Sequence, residues 1–444
     1  MFTICRAGVA RRRNRVLAGL ALMFLLGSAH ATEPQVSVSL DEAVHRATAR
    51  AAALQANRAQ VVAATEEVAR AGRLPDPQLM AGIVNWPITG PDAFALDADM
   101  MTMQRIGLSQ KFPARAKREA SRAFAQRLLE EGQFEALALE LDVGRETAKA
   151  WTEAWAAQLE RDALGALLDQ AGLASRLARA RAAAGTGALS DALAAQAAEL
   201  ELENALMAAD GDVAAAQARL DRWVGPGFIV EAGSSSVFGQ LPHEEIFLLA
   251  HLDTLGPVLS WQTSLEVAAA RIGLARAEKR PDWNITASYG HRQGGSDMVM
   301  LEFAVDLPLF PGNRQDRGIA AREAEYQAAL ASREDAWRQL HAQIRSGAAR
   351  WRALREQVQL DRRRLLPLAH DRSEVALSAY RGGASLQPWL EARRDELDAI
   401  RAHRRRLGDL GQAWAALAFL VPRTELAQTG PSDLRSVSAS GVTP

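Results

Sequence analysis

The sequence predicts a mainly helical protein made of two homologous halves, each carrying one β-hairpin. The run Val68–Asp76 (VARAGRLPD) returns as Leu274–Asp282 (LARAEKRPD), 206 residues further along the chain. Both copies pass through two strand-like stretches to a Phe-Pro pair, at Phe112 and Phe310, and continue into long helix-forming segments. A repeat of about 200 residues is too long for a solenoid unit, so it indicates a duplicated half.

Residues 1–31 have the pattern of a secretory signal. A basic run, Arg11–Arg15, precedes the apolar stretch Val16–Leu26, and Ala29–Ala31 is an A-x-A cleavage site. The apolar stretch is too short to span a bilayer comfortably, which argues against a membrane anchor. We therefore expect export and removal of these residues.

Cysteine content and charge exclude several classes of protein. Cys5 is the only cysteine and lies in the signal, so we expect no disulfide, no thiolate metal site and no lipid anchor at the mature N-terminus. Without the five arginines of the signal, 47 basic residues face 53 acidic ones, and this net charge of −6 argues against nucleic acid as a partner. No later stretch has 18 apolar residues in a row, so no transmembrane helix is predicted.

The helical segments are marked by their caps and by the absence of proline. Ser39–Glu42 has the form of a capping box and opens an alanine-rich stretch that runs to about Gly72. Between Pro113 and Pro226 there are 112 residues without proline, and the obvious break in them is Gly185–Gly187. This pattern predicts a long helix, a tight turn and a returning helix.

The second half repeats this arrangement, with its break at Arg381–Ser385. The outgoing helix of each half should have about 65–70 residues and a length of roughly 100 Å. In the second copy, Pro367 should kink or interrupt the helix, because proline removes a hydrogen-bond donor from the backbone. The tryptophans Trp151, Trp155 and Trp351 are expected to pack within the coiled coil or at an interface.

Four segments have the alternation of β-strands. Val299–Leu307 and Trp283–Tyr289 alternate clearly between apolar and polar residues, whereas Gln78–Trp86 and Met101–Lys111 alternate only in part. Each is about ten residues long, which is enough to cross an outer membrane when tilted. Four strands cannot close a barrel, and lipid does not tolerate an open edge, so several chains would have to combine their strands. Three chains would give twelve strands, an allowed even number.

These observations divide the chain into five parts. They are a signal at 1–31, a first repeat at 32–225 with its hairpin at about 78–111, a linker at 226–242, a second repeat at 243–422 with its hairpin at about 283–309, and a disordered tail at 423–444.

With these features, the chain resembles the TolC-like outer-membrane efflux proteins over essentially its whole mature length. The resemblance rests on the Pro-Asp pairs that end at Asp76 and Asp282, the run Leu307–Arg314, the turn Tyr380–Ser385 and the Leu390–Ala392 segment after it. It implies a homotrimer in the outer membrane, with a 12-stranded β-barrel joined to an α-helical tunnel in the periplasm. Such proteins are passive exit ducts that dock on a periplasmic membrane-fusion adaptor and an RND-type pump in the inner membrane.

Within this family, three stretches are most similar to the branch that serves heavy-metal pumps. They are Leu74–Pro77, Asn85–Pro87 and Met101–Gly107. The expected cargo is therefore heavy-metal cations, and the alternative is a duct for drugs or other small organic compounds. A periplasmic coiled-coil adaptor is a weaker alternative, because adaptors have one helical hairpin and compact β-domains. A general porin is strand-rich and lacks long helices.

The resemblance also suggests a gate at the two helix-turn-helix breaks. Asp191 and Glu391 are similar to family positions whose carboxylates ring the closed periplasmic entrance. Such rings favour cations and repel themselves when crowded. The alternative for Asp191 is an ordinary acidic residue at a helix N-terminus, where the helix dipole favours negative charge.

Two positions depart from the family pattern at this gate. Pro388 stands where a second acidic residue is expected, and Ala384 stands where some members have a basic residue that latches the closed state. The closed state would then be held differently, with Arg381 or Arg393 as the candidates.

The sequence predicts no enzyme, no cofactor and no metal site. Its few histidines lack metal-binding spacing, and no nucleophile–base or paired-carboxylate arrangement can be assigned to one scaffold. Six methionines cluster around the hairpins and are expected to fill strand surfaces, although thioethers also suit soft metals such as Cu(I). They are Met80, Met100, Met101, Met103, Met298 and Met300.

Overall fold

The computed structural model describes residues 36–231, 234–293 and 295–421. The predicted signal at 1–31 and the predicted tail at 423–444 lie outside these residues. Within them the protein is mainly helical, as the sequence predicts, and two long helical hairpins lie beyond one four-stranded sheet.

The first half has three short or medium elements before its β-hairpin and two long helices after it. In chain order they are β1 (Val36–Val38), α1 (Leu40–Arg50), α2 (Ala52–Arg70), β2 (Gln78–Val84), β3 (Met103–Phe112), α3 (Arg115–Ala183) and α4 (Leu189–Val224). Helix α1 is capped as predicted, because the Ser39 hydroxyl accepts the backbone N–H of Glu42 at 3.3 Å. Helix α3 has 69 residues and turns back into α4 through Gly185, which has a left-handed φ of 71°.

The second half repeats this order with additional short helices. Its elements are β4 (Phe228–Val230), a 3-10 turn (Ser234–Gly239), α5 (Glu245–Ala250), a second 3-10 turn (Leu252–Thr254), α6 (Gly256–Ala277), β5 (Trp283–His291), β6 (Met298–Val305), a third 3-10 turn (Pro311–Asn313), α7 (Gln315–Leu360), a π turn (Asp361–Leu365), α8 (Leu366–Arg381) and α9 (Gln387–Ala418). Helix α7, the π turn and α8 run on without a break from residue 315 to residue 381, which matches the length of α3.

The π turn accounts for the predicted disturbance at Pro367. Proline has no backbone N–H and its ring crowds the preceding turn, so the helix cannot keep regular hydrogen bonds there. The chain widens by one residue just before the proline, and the N–H of Leu366 bonds to the carbonyl of Asp361. The helix therefore continues through the proline instead of ending at it.

The two hairpins of strand form one antiparallel sheet with the order β2-β3-β5-β6. Strands β3 and β5 join the halves over nine residue pairs, from Gln104 opposite His291 to Phe112 opposite Trp283. Strands β2 and β6 are the two edges. Strand β2 ends at Val84, two residues before the predicted limit, because Asn85 takes a left-handed φ of 57°.

The stretch predicted as a linker is largely structured. Strand β4 pairs in parallel with β1, from Val36 opposite Phe228 to Val38 opposite Val230. Phe238 in the following turn is fully buried. The linker therefore contributes to the main core, where α1, α3, α4, α7 and α9 meet.

The same tryptophan contact occurs once in each half of this core. The indole N–H of Trp151 donates to the carbonyl of Val38 at 3.0 Å, and that of Trp351 donates to the carbonyl of Phe238 at 3.0 Å. Both pairs are 113 residues apart in sequence. The expectation that these tryptophans pack inside the helical layer is confirmed, and Trp155 stacks on Trp151 with ring centroids 6.2 Å apart.

Of the described helices, none combines the length and the apolar character that a membrane-crossing helix requires.

Candidate functional site

The sheet has an exposed apolar face. Because strand residues alternate between faces and the register is fixed, one face collects nearly all the large apolar side chains of the four strands. Val299 is 81% exposed and Phe303 is 64% exposed. The other exposed members are Leu79, Ile83, Ile106, Leu108, Trp283, Tyr289 and Leu301. A contiguous apolar surface of this kind marks a contact with a membrane or a protein.

The opposite face of the sheet is polar and internally hydrogen-bonded. Thr286 donates to Ser109 at 3.0 Å, and Ser109 donates to the amide oxygen of Asn284 at 3.1 Å. Arg105 and Glu302 form an ion pair at 3.2 Å across the same face. This face suits contact with water and charged solutes.

All four methionines of the strands lie on the polar face. They are Met80, Met103, Met298 and Met300. Strand β5 makes room for two of them at Gly290, where a Cβ atom would overlap the sulfur of Met103 and would come within 3.4 Å of the Met300 methyl group. Strand filling alone does not explain why the apolar face has Leu, Ile, Val and aromatic residues but no methionine.

At the base of the sheet, Asp282 connects the second half to the first. Its carboxylate accepts the backbone N–H of Ala114 at 3.0 Å, just before α3 begins, and contacts Nζ of Lys117 at 2.9 Å. Burial opposes ionisation, but the N–H donor and the two nearby lysines outweigh it and lower the pKa of Asp282. The Pro-Asp pair found from the repeat therefore caps a helix of the other half.

At the other end of the molecule, the structure brings the two helix turns together. Ala192 in α4, Trp389 in α9 and Tyr380 in α8 belong to one buried cluster. Asp191 lies in the first turn of α4 and is partly exposed, and Glu391 lies near the start of α9 and is exposed. Both predicted gate carboxylates are thus at the same end of the bundle, more than 60 helical residues from the sheet.

An arginine that the sequence reading missed holds the two turns together. The guanidinium of Arg181, in the last turn of α3, donates to the carbonyl of Tyr380 at 2.7 Å and lies 4.8 Å from the centre of the Tyr380 ring. The positive charge of Arg181 also interacts favourably with the partial negative charge at the C-terminal ends of α3 and α8. Nothing in the local sequence signals the contact, because its partners are 199 residues apart.

The two candidate latch residues are in different surroundings. Arg381 ends α8 and is exposed. Arg393 is buried between α9 and α3, where it donates to Glu396 at 2.6 Å and also binds the amide oxygen of Gln170. Arg393 therefore ties α9 to α3 within the chain, and only a change that breaks this pair would free it for another partner.

Glu396 also binds His370 of α8, with 3.0 Å between its carboxylate and Nδ1. This hydrogen bond raises the pKa of His370 above its ordinary value, although burial opposes the shift. Since the folded protein holds the proton more tightly than the unfolded chain, the contact stabilises the fold below pH of about 6.5 and is lost as the pH rises through the raised pKa.

We predict that His370→Ala reduces the loss of thermal stability between pH 6 and pH 8. The effect should be small, because the His370 side chain is 55% exposed and solvent screens the pair. The measurement is the apparent melting temperature of the purified protein at both pH values. His45→Ala removes an exposed histidine of α1 and serves as the control. Equal pH dependence in wild type and His370→Ala would contradict the prediction.

One family model matches part of the chain by sequence. Residues 258–421 match the family model described as Outer membrane efflux protein. This range holds α6 to α9 and the second hairpin of strands. Comparison with curated protein sequences gives no significant match.

Solved structures extend the likeness to most of the chain. A membrane protein from Pseudomonas aeruginosa has a TM-score of 0.72 at 18% identity, covering 87% of this chain and 93% of its own. CusC, described as forming a transmembrane channel, has a TM-score of 0.71 at 15% identity, with coverages of 86% and 92%. VceC, an outer membrane protein of Vibrio cholerae, has a TM-score of 0.66 at 19% identity, with coverages of 85% and 94%. The protein therefore has the fold of these outer-membrane channel structures, and residues 258–421 match the Outer membrane efflux protein model.

Proposed function

We propose that the protein is the outer-membrane exit duct of a tripartite efflux system and that it conducts its cargo passively. The observation that carries the proposal is the sheet, whose exposed apolar face lies opposite a polar face, at one end of two very long helical hairpins. An apolar face suits lipid and a polar face suits a water-filled passage. Transport through such a passage needs a continuous polar path and no catalytic group.

The duct requires more than one chain. Within the described part of the single chain, the outer edges of strands β2 and β6 are unpaired, and open edges are not tolerated in lipid. A homotrimer would combine twelve strands into a closed barrel and would arrange the helical hairpins into a tunnel below it. Because the strand directions alternate, β2 of one copy is antiparallel to β6 of another, which is the pairing that closure needs.

The helical tips are suited to partner proteins. Leu189 and Leu193, at the start of α4, are 69% and 60% exposed and give the tip an apolar surface. We assign this end to a periplasmic membrane-fusion adaptor, with an RND-type pump in the inner membrane as the energised component. The CusC and VceC folds support this arrangement by likeness alone.

Heavy-metal cations are the proposed cargo. The four methionines on the polar face offer thioether sulfur, which favours soft cations, along the surface that a solute would pass. Organic drugs are the competing cargo, since a wide duct can also pass uncharged compounds.

Deleting the gene tests the function and the cargo together. We expect greater sensitivity to metal salts such as copper, silver, zinc, cobalt or cadmium, restored by the wild-type gene on a plasmid. Sensitivity to organic drugs alone would overturn the metal assignment and leave the duct. Recovery of the protein as a soluble periplasmic monomer would overturn the duct itself.

We further propose that Asp191 and Glu391 line the closed periplasmic entrance, with Arg381 near them on the same turns. Three copies would present two sets of carboxylates, which favour cations and whose mutual repulsion is relieved by opening. Arg393 would keep α9 fixed on α3 during this motion, through its contacts with Glu396 and Gln170.

The double variant Asp191→Ala/Glu391→Ala should lower the preference of the channel for cations and change its conductance. The measurement is single-channel recording in planar bilayers with a gradient of potassium chloride. Glu201→Ala/Glu203→Ala, farther along α4, removes two carboxylates away from the turns as the matched control. An unchanged channel in the first variant would remove both residues from the entrance.

A further inference from the structure

Among the residues that the structure describes, only one of the two repeated Pro-Asp pairs has a partner. Asp282 accepts the N–H of Ala114 and binds Lys117, and its side chain is only 11% exposed. Asp76, its equivalent in the first half, is exposed and makes no hydrogen bond or ion pair with the residues that the structure describes. The difference lies in the neighbours of each strand, not in the motif.

Sheet order explains why Asp76 lacks a partner. Asp282 precedes β5, and β5 lies beside β3, so Asp282 reaches the start of α3, the helix that follows β3. Asp76 precedes β2, which is an edge strand. The repeat-equivalent neighbour of β2 would be β6, and the helix that follows β6 is α7. Within one chain, β6 is at the far edge of the sheet.

Just before α7, a backbone N–H lacks an acceptor among the described residues. Gly312 follows Phe310-Pro311 as Ala114 follows Phe112-Pro113, and it lies in a 3-10 turn, Pro311–Asn313, that directly precedes α7. The N–H of Ala114 is bound by Asp282, whereas the N–H of Gly312 has no acceptor among the described residues. No atom lies within 4 Å of where a Cβ on Gly312 would be, so a carboxylate has room to approach.

We propose that Asp76 of one copy of this chain binds the 3-10 turn that leads into α7 of a second copy and accepts the N–H of Gly312. This contact would lie at the base of the pairing between β2 of one copy and β6 of the other. Its counterpart within one chain is the contact of Asp282 with Ala114 at the base of the β3–β5 pairing. Gln315 takes the place of Lys117 in this contact and offers an amide N–H as the second donor. The contact rests on the proposed multi-chain duct and adds to it the residues that set the register between copies.

Cysteine crosslinking tests the contact directly, because Cys5 is the only natural cysteine. In a Cys5→Ser background, Asp76→Cys/Gly312→Cys is treated in membranes with a short thiol-specific crosslinker and run on a denaturing gel. We expect covalent dimers and trimers, and none in either single variant. Asp282→Cys/Ala114→Cys is the matched control, and it should crosslink within the chain and stay at monomer size.

Two results would refute the contact, and they distinguish its failure from failure of the proposed duct. In the first, the Asp76→Cys/Gly312→Cys variant is an oligomer on a native gel but gives only monomer on the denaturing gel after crosslinking. That result would refute the contact and leave the proposed duct intact. A protein that is monomeric on the native gel as well would refute both.

A second measurement avoids the new cysteines. Asp76→Asn should lower the temperature at which the oligomer dissociates on a semi-native gel, since an amide accepts the N–H less strongly than a carboxylate. Asp97→Asn, which changes an exposed carboxylate of the loop after β2, should leave that temperature unchanged. Equal dissociation temperatures for Asp76→Asn and wild type would count against the contact.

Discussion

Replacing Trp151 with alanine should destabilise the protein by about 3–5 kcal/mol, the usual cost of removing a buried aromatic side chain. The side chain is fully buried and stacks on Trp155. Its loss would also leave the carbonyl of Val38 without its indole donor at the place where β1 enters the core. The segment before α1 should then detach from the long helix α3.

The measurement is thermal unfolding of the purified protein in detergent, followed by circular dichroism at 222 nm. At about 2 °C per kcal/mol, the apparent melting temperature should fall by roughly 6–10 °C. Trp351→Ala, which removes the equivalent contact to Phe238, should cause a similar loss. Trp86→Ala removes a tryptophan that is 43% exposed and should change the temperature little. Equal effects of Trp86→Ala and Trp151→Ala would contradict the assignment of this core.

Replacing Asp361 with alanine should destabilise the protein by about 2–3 kcal/mol. The carboxylate is buried at the π turn, and it accepts from Arg406 at 2.7 Å and contacts His403 at 3.3 Å, both in α9. Removing one partner of a buried ion pair typically costs about 3–5 kcal/mol. The lower figure applies here because Arg406 is 34% exposed and water can solvate its guanidinium. Burial lowers the pKa of His403, so at neutral pH Arg406 carries the uncompensated charge.

The control for this prediction is an ion pair of the same chemistry at the surface. Asp395 binds Arg372 at 2.5 Å, but its side chain is 57% exposed, so Asp395→Ala should cost less than about 1 kcal/mol. Both variants are compared by the thermal unfolding experiment used for Trp151. Equal losses in the two variants would show that the π turn does not depend on its buried carboxylate.

The candidate site was predictable where its signal is local. The repeated Pro-Asp pairs, the two glycine-containing turns and the alternation of Val299–Leu307 all follow from short-range patterns, and they locate the strands and the helix turns. Asp191 and Glu391 lie beside those turns, but they were identified through their similarity to positions of the efflux-protein family. The structure places both at the same end of the bundle.

Contacts between distant segments could not be predicted in this way. Arg181 meets Tyr380 across 199 residues, and Asp361 meets Arg406 across 45 residues, so neither pair has a spacing that indicates it. Arg393 is a case in which the position in the sequence indicated a different contact from the one that the structure shows. Its position near the turn suggested a latch, whereas packing directs its guanidinium to Gln170 and Glu396. Which way a side chain points around a helix depends on the neighbouring helices.

The sequence alone determined the duplicated plan, the mainly helical fold and the two hairpins of strand, because helix propensity, capping and strand alternation act over a few residues. Only the tertiary structure decided that the two hairpins join through β3 and β5 into one sheet with two open edges. It also decided that the four methionines of the strands share the polar face, that the supposed linker contributes Phe238 to the core, and that, among the described residues, Asp282 has a partner where Asp76 has none. Each of these depends on register and on which segments become neighbours, and these are set by packing over long distances in the chain.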